Sequence, residues 1–258
     1  MIFFLFFGKT NKYENKSVEI MSYAHPEVLV DTEWVSQNPP NEKRKLVEVD
    51  YDPVNGYQKG HINGASLIWW KRDINDPVTR DIISKKEFEA LMAKNGITAD
   101  TEVILYGDFN NWFAAFVFWV FKIYGHENLK IMNGGRKKWE LENKDYTTDE
   151  PQLATTNYVA QPPDEGLRAY LFDVSRALGK EDTVMVDVRS PAEFTGQITA
   201  PPEYPMEHAQ RGGHIPDANN IPWATAVNDA DGTFKAVEEL RQNYEPKGVT
   251  PDKDVICY

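Results

Sequence analysis

The chain repeats itself, and that limits its fold more than any single residue does. Val47-Glu48-Val49-Asp50 returns as Val186-Asp187-Val188-Arg189, 139 residues later. Gly60-His61-Ile62 with Ala65 returns as Gly213-His214-Ile215 with Ala218, 153 residues later. Ile97-Thr98-Ala99-Asp100 with Val103-Ile104 returns as Val249-Thr250-Pro251-Asp252 with Val255-Ile256, 152 residues later, which sets Tyr106 opposite Tyr258. The register is nearly constant apart from 14 residues inserted in the second copy before His214. Solenoids repeat every 20–50 residues or so, whereas a repeat of domain length implies two similar domains.

Each copy reads as α/β. Leu46–Val49 and Val103–Tyr106 are short β-branched runs suited to buried parallel strands. Ser84 followed by Glu87 is a capping-box pattern; Phe88, Leu91 and Met92 then fall at helical spacing until Asn95-Gly96. Asn111 is placed to cap a second helix, and the run Trp112–Phe121 is apolar all round, as in a helix buried on most sides. Leu129–Met132 reads as a strand, and Asn133-Gly134-Gly135 as the turn into a short helix containing Trp139. In the second copy Leu167, Tyr170, Leu171, Val174 and Leu178 share one helix face up to Gly179, and Thr183–Val188 is the matching strand. Strands alternating with helices give parallel sheets flanked by helices. The resulting division is a leader at 1–24, a first domain at 25–144, a linker at 145–163 rich in Asp, Thr and Pro, and a second domain at 164–258.

The leader carries Ile2-Phe3-Phe4-Leu5-Phe6-Phe7, six apolar residues where a bilayer span needs about 20. It lacks a basic flank and a small-residue cleavage site, so it reads as an upstream start with Met21 as the first residue of the fold, and no stable membrane association is expected. The net charge of −12, from 28 Lys+Arg against 40 Asp+Glu, argues against a nucleic-acid partner. One cysteine excludes an internal disulfide, a zinc ribbon and a CxxC pair, and it suits a reducing cytoplasm. No nucleotide-binding glycine pattern and no metal-ligand cluster is present, so neither a cofactor nor a metal is expected.

Several of these motifs, taken together and in order, resemble the tandem rhodanese family of sulfurtransferases. They are Val186-Asp187-Val188-Arg189, Gly213-His214-Ile215-Pro216-Asp217-Ala218 with Asn220 and Pro222, and Asn133-Gly134-Gly135-Arg136 with Trp139. Tyr57-Gln58-Lys59-Gly60-His61-Ile62-Asn63-Gly64-Ala65 is similar to the family's first signature. The insertion Thr195–Gly212 and Tyr106-Gly107-Asp108 with Asn111-Trp112 resemble the bacterial thiosulfate sulfurtransferase branch. The likeness runs from about Val28 to Tyr258. It implies two tandem rhodanese-like domains and a cysteine thiolate of the second domain that takes the outer sulfur of thiosulfate. Sulfite leaves, and the persulfide passes its sulfur to a thiophilic acceptor such as cyanide or a thiol. Thiosulfate and a sulfur acceptor are therefore the expected partners. Two alternatives stay open: a 3-mercaptopyruvate sulfurtransferase, and a non-catalytic rhodanese-like binding module.

The resemblance also assigns roles. Arg189 is expected to hold the substrate anion, since a guanidinium offers a planar, always-charged fork to oxyanion oxygens; the other reading pairs it with Glu193. Asp187 either bonds the active loop or satisfies local backbone N–H groups. In the family the nucleophile follows a strand and commonly a tyrosine, the place Tyr258 holds, so the reacting cysteine is expected immediately after Tyr258 and the second domain is expected to be C-terminally truncated. Cys257, the only thiol and so the other candidate nucleophile, falls one position earlier, opposite Leu105, a strand position where a cysteine usually behaves as a small buried hydrophobe. The first domain has Gly107-Asp108 at the corresponding place and is expected to be catalytically silent. His61 and His214 are expected to be fold features, and His208 a solvated loop residue.

Overall fold

The computed structural model of the chain describes residues 23–202 and 208–258. The apolar leader and residues 203–207 of the insertion lie outside the described residues. Two units divide the chain: one holds His25–Arg168 and Asp229–Phe234, the other Ala169–Asn228 and Lys235–Tyr258.

In the first unit five parallel strands form a sheet in the order β1-β5-β4-β2-β3. They are β1 (Leu29–Val30), β2 (Arg44–Asp50), β3 (Ala65–Trp69), β4 (Glu102–Gly107) and β5 (Leu129–Met132). The central strands alternate between two covered faces, as parallel strands must when helices lie on both sides. Val47 and Val49 of β2 and Val103 and Leu105 of β4 face one core cluster, with Phe88, Leu91 and Met92 of α3 (Lys85–Lys94) and with Phe113, Val117, Val120 and Phe121 of α4 (Trp112–Ile123). Leu46, Ile104 and Tyr106 face the other, with Val35 of α1 (Thr32–Gln37) and Trp139 of α5 (Gly135–Leu141). A four-residue α2 (Trp70–Asp73) follows β3. Each fully buried Phe or Leu contributes about 1.5–3 kcal/mol, so the apolar α4 anchors one whole layer.

The segment 145–163 is laid along this unit. Thr147 forms a two-way backbone bridge with His61, with bonds of 2.9 Å in each direction, and Tyr158 and Ala160 are buried in the α3–α4 core. The Phe234 N–H of the returning segment donates to Asn133 Oδ1 at 2.9 Å.

The second unit holds a three-stranded parallel sheet, β7-β6-β8, built from β6 (Thr183–Asp187), β7 (Asn219–Asn220) and β8 (Asp254–Cys257). Its helices are α6 (Leu171–Ala177), α7 (Pro191–Phe194) and α8 (Val237–Tyr244). The pairing reproduces that of β3, β2 and β4 in the first sheet. Val47 sits between Ser66 and Leu105, and Val186 sits between Asn219 and Cys257. These are the partners the sequence repeat dictates. The helix face foreseen at 167–178 forms only in part: α6 is seven residues long, and Leu171 is 83% exposed while Ala177 is buried. Among the described residues no helix is long and apolar enough to cross a membrane.

Candidate active site

Parallel strands end on one side, so in the second unit Asp187, Asn220 and Tyr258 arrive together at the C-terminal ends of β6, β7 and β8. An open parallel sheet presents its functional loops at this end. Tyr258 extends the ladder by one residue: its N–H donates to the Val186 carbonyl, and its own carbonyl accepts from Val188, both at 3.0 Å. Its hydroxyl accepts the Ile215 N–H at 2.9 Å, and burial raises its pKa. Tyr106 does the same in the first unit, accepting the Ile62 N–H at 3.0 Å while donating to Glu48, the counterpart of Asp187. The repeat therefore holds at the level of atoms.

Arg189 turns back onto Asp187. Its Nε donates to Asp187 Oδ1 at 3.0 Å, and Nη2 donates to Oδ2 at 2.6 Å and to the Gly213 carbonyl at 2.8 Å. The bonds to the Asp187 carboxylate are the main reason its pKa rises above that of a free arginine. The guanidinium carbon lies 5.8 Å from the centre of the Tyr258 ring. Nη1 has no hydrogen-bond partner among the described residues, leaving its two N–H groups available. The pairing with Glu193 does not form. Glu193 instead closes a capping box with Ser190, accepting the Ser190 N–H at 3.0 Å and its hydroxyl at 2.6 Å. Asp187 is fully buried and also accepts the Arg189 N–H at 3.0 Å, which is the local backbone role.

Cys257 lies on β8 opposite Val186, as the repeat requires. It is exposed rather than buried. The protein packed around its sulfur still pushes the thiol pKa up, the wrong direction for a nucleophile.

In the first unit the residue after Tyr106, the counterpart of Tyr258, is Gly107. A Cβ there would lie 2.1 Å from the Val49 carbonyl oxygen, so no side chain of any kind fits. The chain then runs through Phe109, Asn110 and Asn111 at φ of 47, 54 and 65°, three left-handed residues in a row. Asn111 was expected to cap α4, and it does not. From that conformation its side chain accepts the Gly107 N–H at 2.9 Å and donates to the Met132 carbonyl at 2.7 Å, tying the loop to β4 and β5. Arg136 of α5 pairs with the buried Glu48. Asp108 accepts the N–H groups of Tyr51 and Asp52 at 3.0 and 3.3 Å through Oδ2, while its buried Oδ1 has no partner among the described residues. Burial, then repulsion from Asp50, raises its pKa to about 7.

The histidines serve the fold. His61 stacks on Tyr57 at 3.7 Å and bonds the Tyr57 carbonyl at 3.0 Å; His214 stacks on Phe194 at 3.6 Å and bonds the Phe194 carbonyl at 2.8 Å. His208 is exposed and bonds Thr199.

The Rhodanese-like domain family matches the chain over residues 31–142 and again over 173–258. The chain belongs to that family. Among similar proteins, "Sulfur carrier protein TtuD" of Thermus thermophilus is 52% identical over 241 residues, covering 92% of this chain and 84% of that protein. A Saccharopolyspora erythraea protein named "Putative thiosulfate sulfurtransferase" is 49% identical over 232 residues, covering 90% and 81%. Of solved structures, the anaerobic ergothioneine biosynthesis enzyme of Chlorobium limicola with trimethyl histidine superposes with a TM-score of 0.80 at 22% identity; the match covers 95% of this chain and spans only 63% of that one. The 3-mercaptopyruvate sulfotransferase SseA of Escherichia coli superposes with a TM-score of 0.76 at 22% identity, covering 89% and 87%. At that identity the two structures share the fold with this rhodanese-like chain.

Sequence reasoning singled out Arg189, Asp187 and Tyr258, and the structure brings all three together. It missed Asn220 as an actor. Asn220 was visible within a motif, but its role depends on two carbonyls that only the folded turn sets side by side.

Proposed function

We propose that this rhodanese-like protein is a sulfurtransferase that moves the sulfane sulfur of thiosulfate to a thiophilic acceptor. The observation that carries the reading is the setting of Tyr258. Tyr258 closes β8, its hydroxyl accepts the Ile215 N–H, and the Arg189 guanidinium, whose Nη1 has no partner among the described residues, lies 5.8 Å from the centre of its ring. The names of relatives at 44–52% identity, a sulfur carrier protein and putative thiosulfate sulfurtransferases, support the same chemistry.

In this reading a thiolate on the residue after Tyr258 attacks the outer sulfur of thiosulfate. The sulfur–sulfur bond of thiosulfate breaks, and sulfite leaves with the electron pair. Cyanide or an acceptor thiolate then attacks the outer sulfur of the persulfide, and the enzyme thiolate leaves. No oxidant or reductant is consumed. Arg189 Nη1 holds a sulfonate oxygen, and Asp187 keeps the planar guanidinium aimed. The first unit takes no part in the chemistry, since Gly107 can carry no nucleophile. A reducing cytoplasm, where the thiol stays free, is the compartment that fits.

Two measurements test this. The codon after Tyr258 in the reading frame should encode cysteine; any other residue there overturns the reading. Cys257→Ser should leave sulfur transfer from thiosulfate to cyanide as it is in the parent chain, whereas transfer that disappears with this substitution makes Cys257 the nucleophile.

A further inference from the structure

The turn that presents Arg189 is only three residues long, Asp187-Val188-Arg189, and it is clamped from the neighbouring strand. Asn220 at the end of β7 donates through Nδ2 to the carbonyl of Asp187 at 3.1 Å and to the carbonyl of Arg189 at 2.9 Å. One amide thus bridges the two ends of the turn. The Ile221 N–H also donates to the Asp187 carbonyl at 3.0 Å, and the Trp223 N–H to the Val188 carbonyl at 2.9 Å. Of these donors only Asn220 reaches the carbonyl of Arg189 itself. Two carbonyls that converge on one point repel each other unless a donor lies between them. Without Asn220 the Arg189 carbonyl loses this donor, and among the described residues the backbone there is held only by the Arg189 N–H on Asp187 and the Ser190 N–H on Glu193, which loosens the position from which Nε and Nη2 meet Asp187.

The first unit provides an internal control. Leu67 takes the place of Asn220: it pairs with Glu48 on β2, as Asn220 pairs with Asp187 on β6. There the residue in the place of Arg189 is Asp50, and the loop seat is Gly107, so no cation has to be aimed. The amide occurs in the copy that has an arginine to hold.

We infer that Asn220 is the positioning residue of the anion site, a clamp whose two hydrogen bonds fix the pose of Arg189 over Tyr258. The inference rests on the proposed anion-holding role of Arg189, and its test separates the two. In the full chain the Arg189 Nε–H resonance, bonded to Asp187, is followed by NMR while thiosulfate affinity is measured by calorimetry. Asn220→Leu should shift the Nε–H resonance toward that of a free arginine and speed its exchange. It should also weaken thiosulfate about tenfold, as the loss of an aligned charged contact does. Asn220→Asp has the same shape but lacks the donor, so it should behave alike, with the first-unit amide spectrum unchanged in both. Arg189→Ala should weaken thiosulfate to a similar degree, and the double variant Arg189→Ala with Asn220→Leu should be no weaker than Arg189→Ala alone. An Nε–H resonance left in place by both Asn220 variants overturns the clamp. Thiosulfate affinity unmoved by Arg189→Ala overturns the anion-holding role, whatever the resonance shows.

Discussion

Asp50 ends β2 and Asp108 directly follows the neighbouring β4, and each keeps one buried carboxylate oxygen with no partner among the described residues. Arg136 is the cation that offsets both, but its ion pair is with Glu48. A carboxyl whose pKa rises on folding binds more protons in the folded state than in the unfolded one. Stability should therefore fall as pH rises from about 4, the ordinary aspartate value, to about 7, the value in the fold, and then level off. The slope is at most about 1.4 kcal/mol per pH unit. Asp108→Asn should flatten it, as measured by urea unfolding between pH 5 and 8; an unchanged slope would remove Asp108 as its source. Arg136→Met should cost about 3–5 kcal/mol, because it leaves Glu48 buried beside Asp50 with its countercharge gone. The residue scale was the least legible in sequence. Arg136 stood within a recognised motif, but nothing in the string shows that Glu48, 88 positions away, is its partner.

Elements that depend on near neighbours were legible. The Ser84–Glu87 capping box forms as read, and Leu129–Met132 is a strand to the residue. Ser84→Ala should destabilise α3 by about 1 kcal/mol, measurable as a shift in the urea midpoint at unchanged slope. Elements governed by distant contacts were not legible. Asn111 follows a turn of left-handed residues, and its side chain is drawn to Gly107 and Met132 instead of to the helix start. The apolar spacing from Leu167 to Leu178 was real, yet the helix covers only Leu171–Ala177, with Leu167 in a separate 3-10 turn and Tyr170 as its cap. Spacing reports which residues can share a face and is silent on whether anything packs against it.

For the whole molecule, the repeat was the most informative feature, because strand pairing in parallel sheets is a register, and register is arithmetic on sequence position. The offsets of 139, 152 and 153 residues carry Val47, Leu105 and Ser66 onto Val186, Cys257 and Asn219, and these residues pair. The place of Tyr258 opposite Tyr106, at the end of β8, followed from the same arithmetic, whereas the two bonds from Asn220 did not, since they depend on how a three-residue turn aims its carbonyls. The net charge of −12 should make the fold self-repelling at low ionic strength, so the melting temperature should rise between about 10 and about 150 mM NaCl. A flat response would mean that the acidic groups are already locally paired. The main-chain contact at Gly107 has an evolutionary consequence. If the two halves descend from one duplicated ancestor, the first differs by more than a missing side chain: the Val49 carbonyl occupies the space that a Cβ at position 107 would need. A codon change back to cysteine would meet that carbonyl before it met any substrate. The specialisation of the two halves is thus ratcheted, and reversal would need the backbone of two strands to move first.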